Sequence, residues 1–157
     1  MRRFKPAYGV ALLALFMTAV LAAEMVLTGS GGRDFQRVAP DREGRVVLEV
    51  TDLEPNDVQF YRFLNAGNQE VKFFVGRDED GVIQVAFDAA ENDYRRKRGF
   101  RSEDGWVVNN KCDTAGRLSE VNAGGGGCRP VPLQHRLESG RLVLEERDIL
   151  SGWRYFR

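Results

Sequence analysis

Val58-Gln59-Phe60-Tyr61-Arg62-Phe63-Leu64, then Val71-Lys72-Phe73-Phe74-Val75, then Gly81-Val82-Ile83-Gln84-Val85-Ala86-Phe87-Asp88 are the three runs that decide the fold. Each is short and rich in β-branched and aromatic side chains, the composition of a strand. In the last run Ile83, Val85 and Phe87 fall on one side and Val82, Gln84 and Ala86 on the other, the two-residue period of a pleated chain. Asn65-Ala66-Gly67-Asn68 separates the first two runs and Asp78-Glu79-Asp80-Gly81 the last two, and both carry turn chemistry. The acidic turn lacks the twelve-residue spacing and terminal Glu of a calcium loop and is read as a turn. Three strands joined by tight turns predict an antiparallel meander.

Outward from this centre the same composition recurs. Val46-Val47-Leu48-Glu49-Val50 is a strand upstream, and the folded part is expected to begin at Arg45. Downstream, Glu91 to Arg98 is polar and reads as a short helix or a loop, whereas Trp106-Val107-Val108 is a further short strand. Arg129-Pro130-Val131-Pro132 is extended, because proline disfavours helix in the residue before it. Leu133 to Leu137 and Arg141 to Leu144 form a last hairpin turning at Ser139-Gly140. The end, Ile149 to Phe156, is too aromatic for a frayed tail and is expected to pack on the sheet.

The amino end differs in kind. Arg2, Arg3 and Lys5 precede an apolar run from Ala7 to Thr28, broken by Glu24. A bilayer core needs roughly 20 apolar residues in helix, and basic residues stay on the cytoplasmic side. The segment is either a signal peptide with a small-residue exit at Val20-Leu21-Ala22-Ala23 or an uncleaved signal-anchor helix. Either way the rest of the chain is exported. The expected organisation is a transmembrane anchor over residues 1–28, a flexible linker over 29–44 starting at Gly29-Ser30-Gly31-Gly32, and an extracytoplasmic β-rich domain over 45–157.

The totals narrow the function. The 157 residues carry 23 Lys+Arg and 23 Asp+Glu, a net charge of zero, which is not the basic excess of a nucleic-acid binder. The single histidine, His135, argues against His-rich metal sites and His-based acid–base chemistry. No nucleophile elbow, phosphate loop or dinucleotide fingerprint occurs. Gly124 to Gly127 is not followed by Lys-Ser/Thr and is read as close backbone packing beside Cys128. Cys112 and Cys128 are the only cysteines. In an exported domain they are expected to form a disulfide, Cys112–Cys128; free or redox-active thiols and a metal site are the alternatives.

Several ordered blocks carry a resemblance. They are Phe73-Phe74-Val75, Gly81 to Ala89, Tyr94, Gly99-Phe100-Arg101, Gly105 to Val108, Cys112 and Gly126-Gly127-Cys128-Arg129-Pro130-Val131-Pro132-Leu133. Together they resemble an uncharacterised bacterial family of exported, membrane-attached domains associated with iron-permease-type uptake systems. The resemblance covers about Arg45 to Leu150 and implies metal binding by two Cys-x-x-Cys pairs and a later Gly-Gly-Cys. Here three of those five cysteines are replaced, by Ala90, Asp93 and Asn109. Carboxylate and amide oxygens suit harder ions than thiolates do. What the resemblance leaves is a mixed set of Asp93, Cys112, Cys128 and His135 for a single metal ion, or a fold that has lost its metal and carries no cofactor.

Two surface features point to partners. Tyr94-Arg95-Arg96-Lys97-Arg98-Gly99-Phe100-Arg101 interleaves cations with aromatics, and is either a solvated face or a docking patch for an acidic protein or lipid headgroups. Trp153, Tyr155 and Phe156, beside Arg154 and Arg157, belong to the core, an interface or the membrane surface. The expected protein is mainly β, an antiparallel β-domain tethered by one N-terminal transmembrane helix. Its expected place is the bacterial inner membrane, single-pass, with the C-terminal domain periplasmic. The expected role is a non-enzymatic accessory or structural subunit of an integral membrane protein complex, for electron transfer or metal uptake, with no nucleic-acid partner. The alternatives are a periplasmic metal-binding domain of a transport system and a thiol–disulfide protein.

Overall fold

The computed structural model describes residues 33–92, 94–124 and 126–157, and Asp34–Arg157 forms one unit. Its strands are β1 (Phe35–Val38), β2 (Arg45–Glu49), β3 (Val58–Leu64), β4 (Glu70–Arg77), β5 (Ile83–Ala90), β6 (Phe100–Glu103), β7 (Trp106–Asn109), β8 (Ala115–Arg117), β9 (Pro130–Pro132), β10 (Arg136–Glu138) and β11 (Arg141–Glu145). One short helix, α1 (Glu146–Ser151), follows β11, and single 3-10 turns lie at Tyr94–Arg96, Leu118–Ala123 and Trp153–Tyr155. The described residues are therefore mainly β and rich in antiparallel pairs. The expected anchor over residues 1–28 lies outside them. Among the described residues no helix is long and apolar enough to cross a membrane.

The expected meander is present. β3 pairs antiparallel with β4 and β4 with β5, so that Tyr61, Phe73 and Phe87 lie side by side across three strands. The Tyr61 and Phe73 rings stack at 5.3 Å. These strands form the middle of a five-stranded sheet ordered β1-β3-β4-β5-β9. Alternation sends Tyr61, Phe63, Val71, Phe73, Val75, Ile83, Val85 and Phe87 into a core shared with Val46 and Leu48 of β2, Leu142 and Leu144 of β11, Ile149 and Tyr155. The opposite face is covered as well. Phe60, Phe74, Ala86 and Ala90 pack against Phe100, Val107, Leu118 and Val121. The central sheet thus lies between the β10-β11-β2 sheet on one side and the β6-β7-β8 sheet with its 3-10 turn on the other. Every residue of β5 is buried for that reason.

One boundary differs from expectation. Phe35–Val38, placed in the 29–44 linker by its polar sequence, is an edge strand parallel to β3, with Phe35 opposite Phe60 and Val38 opposite Phe63. A four-residue edge strand needs only one apolar anchor, and Phe35 supplies it. Its ring meets Phe60 at 5.7 Å, and Lys72 Nζ and the Arg62 guanidinium lie 5.5 and 5.9 Å from its centroid.

The buried polar residues Asp78, Gln84, Asp88 and Asn109 are all hydrogen-bonded. Asp78 is 3 % exposed. Its Oδ1 accepts from the backbone N–H of Asp80 and Val82 at 3.1 and 2.8 Å, and its Oδ2 accepts from Gln84 Nε2 at 2.8 Å. Gln84 Oε1 in turn accepts from the Asn122 N–H at 3.2 Å. This chain of bonds fixes the acidic turn and joins it to the 3-10 turn at 118–123. Asp78→Ala leaves three donors without their acceptor, at roughly 1–3 kcal/mol for each one that stays dry. A loss of about 3 kcal/mol in denaturant-measured stability is expected, after partial rescue by water.

Candidate functional site

Two assemblies gather the chemistry that the sequence singled out: the loops carrying the cysteines, and a basic face near the carboxyl terminus. The first grows from the end of β7. Cys112 lies in the turn after β7 and Cys128 lies just before β9. They form a disulfide, with Cα atoms 6.4 Å apart, inside the usual window for such a bond. Because β9 pairs with β5 (Ala90 opposite Pro130, Ala86 opposite Pro132), the bond staples the small β6-β7-β8 sheet to the edge of the central one.

Asn109 lies between the two cysteine loops and is 1 % exposed. Its Oδ1 accepts from the backbone N–H of Lys111 at 2.9 Å and of Cys112 at 3.1 Å. Its Nδ2 donates to the Cys128 carbonyl at 3.0 Å. One side chain therefore holds both loops. The neighbouring Asn110 donates from Nδ2 to the Arg98 carbonyl at 3.0 Å, and the Phe100 N–H donates to Asp88 Oδ1 at 2.6 Å. A cavity of about 100 Å³ lies alongside, with Phe100, Val107, Val121, Arg117 and Cys128 among its walls.

The glycines before Cys128 serve another purpose than expected. Gly124, Gly126 and Gly127 have φ of 129, 125 and 62°. A methyl group placed on any of them meets nothing within 4 Å. The chain needs glycine there for left-handed backbone, not for close packing.

The candidate metal set does not come together in the described residues. Cys112 and Cys128 are bonded to each other, and a disulfide sulfur is not a thiolate ligand. His135 lies after β9 with its Nδ1 2.9 Å from the Leu133 carbonyl oxygen. Asp93 lies outside the described residues. Among the described residues no group of three or more His, Cys, Asp or Glu side chains is placed to hold a metal ion.

The second assembly joins two segments far apart in sequence. The Tyr94 ring packs edge-on against Tyr155 at 5.5 Å, and Tyr155 lies against Phe87 at 6.1 Å. This brings the Tyr94–Arg96 turn beside the Trp153–Tyr155 turn. Arg95, Arg96, Lys97 and Arg98 are exposed, and among the described residues Arg95, Arg96 and Lys97 make no ion pair. Arg154 Nη2 donates to the Tyr155 hydroxyl at 2.6 Å, and its guanidinium lies 4.7 Å from the Tyr155 ring centroid. That hydrogen bond raises the Arg154 pKa above its ordinary value, so the charge is fixed. Arg157 lies 5.9 Å over the Trp153 ring.

Two residues expected on this patch belong elsewhere. Tyr155 is buried and serves as the core support of the face, although Trp153 and Phe156 remain half-buried at its edge. Arg101 is neutralised by Glu103 at 2.6 Å and Asp113 at 2.9 Å, and those bonds hold its pKa up. It links β6 to the cysteine turn. Conversely, Arg154 and Asn109 carry more of these assemblies than the sequence indicated. For Asn109 the signal was a polar residue ending an apolar strand three positions before a cysteine.

The described residues form three layers of β-sheet, with one disulfide joining the small β6-β7-β8 sheet to the edge of the central one. The family model described as "Membrane iron-sulfur containing protein FtrD-like" matches residues 53–156. The chain belongs to this FtrD-like family, a membrane-associated, iron-related one. No curated protein and no solved structure matches it. An iron–sulfur cluster is usually held by four cysteine thiolates. This chain has two cysteines, both in the disulfide, and a buried amide between them with its bonds directed to backbone. The residues present do not fit the cluster of the family's description.

Proposed function

We propose that this chain is a non-enzymatic accessory subunit of a bacterial membrane complex, serving electron transfer or metal uptake. Its exported domain docks on the periplasmic face of an integral membrane partner, and its N-terminal segment anchors it in the inner membrane. The observation that carries this is a basic face: the Tyr94–Tyr155 contact brings the turn bearing the exposed Arg95, Arg96 and Lys97 beside the turn bearing Arg154 and Arg157, with Glu91 next to Arg154 as its acidic neighbour. In a chain of zero net charge, such a concentration of cations needs a reason beyond solubility. A patch of this kind steers an acidic surface into register and sets specificity more than raw affinity. The half-buried Trp153 and Phe156 beside it supply the apolar content typical of an interface.

The partner's contacting surface is acidic. Membranes solubilised in a mild detergent and fractionated at native conditions test the proposal. The expected result is co-migration with a stoichiometric membrane partner, in a complex that weakens as salt rises from 0.05 to 0.5 M, where the Debye length falls well below ~10 Å. Migration of the chain alone at low salt contradicts it.

A further inference from the structure

We infer that Asn109 is a positioning residue for the Cys112–Cys128 pair, and that the amide and the disulfide together form a metal-free cross-link in this member of an iron–sulfur family. The inference stands apart from the docking proposal; either survives the failure of the other.

The bonds Asn109 makes go to the peptide groups of the cysteine loops, not to their sulfurs. The Cys112 N–H donates to Oδ1 and the Cys128 carbonyl accepts from Nδ2. Breaking the S–S bond therefore leaves both bonds in place. Asn109 itself is held at both ends of its backbone: its N–H donates to the Thr114 carbonyl at 3.0 Å, and its carbonyl accepts from the Asp113 N–H at 2.9 Å. It is also paired across the ladder with Phe100, a fully buried residue. The clamp is rigid, and in the dithiol form it keeps the two sulfurs near each other.

Holding two groups in place raises their effective concentration. For a dithiol this favours the disulfide and lowers the reduction potential. The same clamp disfavours a cluster, whose thiolates must spread around several metal atoms. The buried amide fills the ground between the loops and offers it no thiolate.

The reduction step balances with an external dithiol as donor. One thiolate of the donor attacks one sulfur of the pair, and the S–S bond breaks. The other sulfur leaves as a thiolate and takes a proton. The donor's second thiolate then attacks the mixed disulfide and releases the remaining cysteine thiolate, which is protonated in turn. Two electrons pass to the cysteine pair, and the donor ends as its own disulfide.

The test equilibrates the full-length chain, in detergent, with graded ratios of reduced to oxidised dithiothreitol. Alkylation and mass spectrometry then read the fraction of Cys112–Cys128 reduced. Asn109→Ala is expected to need at least tenfold less reductant for half-reduction, a rise in midpoint of about 30 mV for a two-electron couple. Asn109→Asp, which keeps the acceptor and loses the donor, should fall between. Leu142→Ala, a cavity in the distant β10-β11-β2 sheet, should lower stability and leave the midpoint unchanged. Should Asn109→Ala fail to fold, the milder Asn109→Asp carries the comparison. Iron and acid-labile sulfide are measured on the wild-type chain prepared anaerobically with reductant, and neither is expected at stoichiometric level. A midpoint unmoved by both Asn109 substitutions, or stoichiometric iron and sulfide, overturns the inference.

Discussion

Replacing Arg95, Arg96 and Lys97 together by glutamate is expected to weaken association with the membrane partner about 100-fold at 0.15 M salt, equivalent to ~2.7 kcal/mol. Basic residues near an anionic surface each contribute on the order of 1 kcal/mol, and reversal adds like-charge repulsion to the loss of attraction. Screening and the remaining Arg154 and Arg157 reduce the sum. Fold stability should hardly change, because the three side chains are exposed and form no ion pair among the described residues. The effect should grow as salt is lowered. Quantitative co-purification from mildly solubilised membranes, with circular dichroism on the same preparations, separates binding from folding. Undiminished recovery of the partner would show that the basic face is an ordinary solvated surface.

Gly152→Val is expected to remove roughly 3–5 kcal/mol of stability, the equivalent of exposing Ile149 and Tyr155 at ~1.5–3 kcal/mol each. The backbone at Gly152 is ordinary, with φ −83° and ψ −5°, so no left-handed strain is involved. Space is the whole of the matter. A methyl group at this position would stand 2.3, 2.5 and 2.7 Å from Cε1, Cζ and Cδ1 of Phe87. Phe87 is 3 % exposed and cannot swing away, being opposite Phe73 in the sheet and against Tyr155. The segment after α1 must lift instead, taking Tyr155 from Tyr94 and scattering the basic face. Partner binding should therefore fall with stability in this variant, unlike in the glutamate variant. A urea midpoint within error of wild type would mean that Phe87 has room that the packing denies it.

How much of this was legible in the sequence depended on what each residue reports. The meander was legible because turn residues and a two-residue period mark both strand ends and faces, as in Asn65–Asn68 and Ile83–Phe87. The three-layer burial was not. Gln84 and Asp88 look like solvent-facing residues, yet both are buried with hydrogen-bond partners. β1 was hidden because a parallel edge strand owes its pairing to β3, 25 residues further along the chain (Phe35 opposite Phe60), and not to a local pattern.

For the sites, the Cys112–Cys128 disulfide was the expected reading, with free thiols and a metal site as alternatives, and the structure contains it. Asn109 was visible as a polar residue ending an apolar strand, standing where the family resemblance implies a cysteine. What it does follows from two loops that converge in space, 19 residues apart for its bond to Cys128. Arg101 looked like a surface group by type, and Tyr155 was open to both the core and a partner surface. Their neighbours Glu103, Asp113, Phe87 and Tyr94 decide their places.

The central claim is that this family member works by contact through its basic face. The most direct measurement is photo-crosslinking in living cells, with benzoylphenylalanine in place of Arg96 and, separately, in place of the exposed Leu137 on β10. The account expects position 96 to capture one membrane protein through an acidic segment, and position 137 to capture nothing at comparable yield. No adduct at position 96, or the same adducts from both positions, would contradict it.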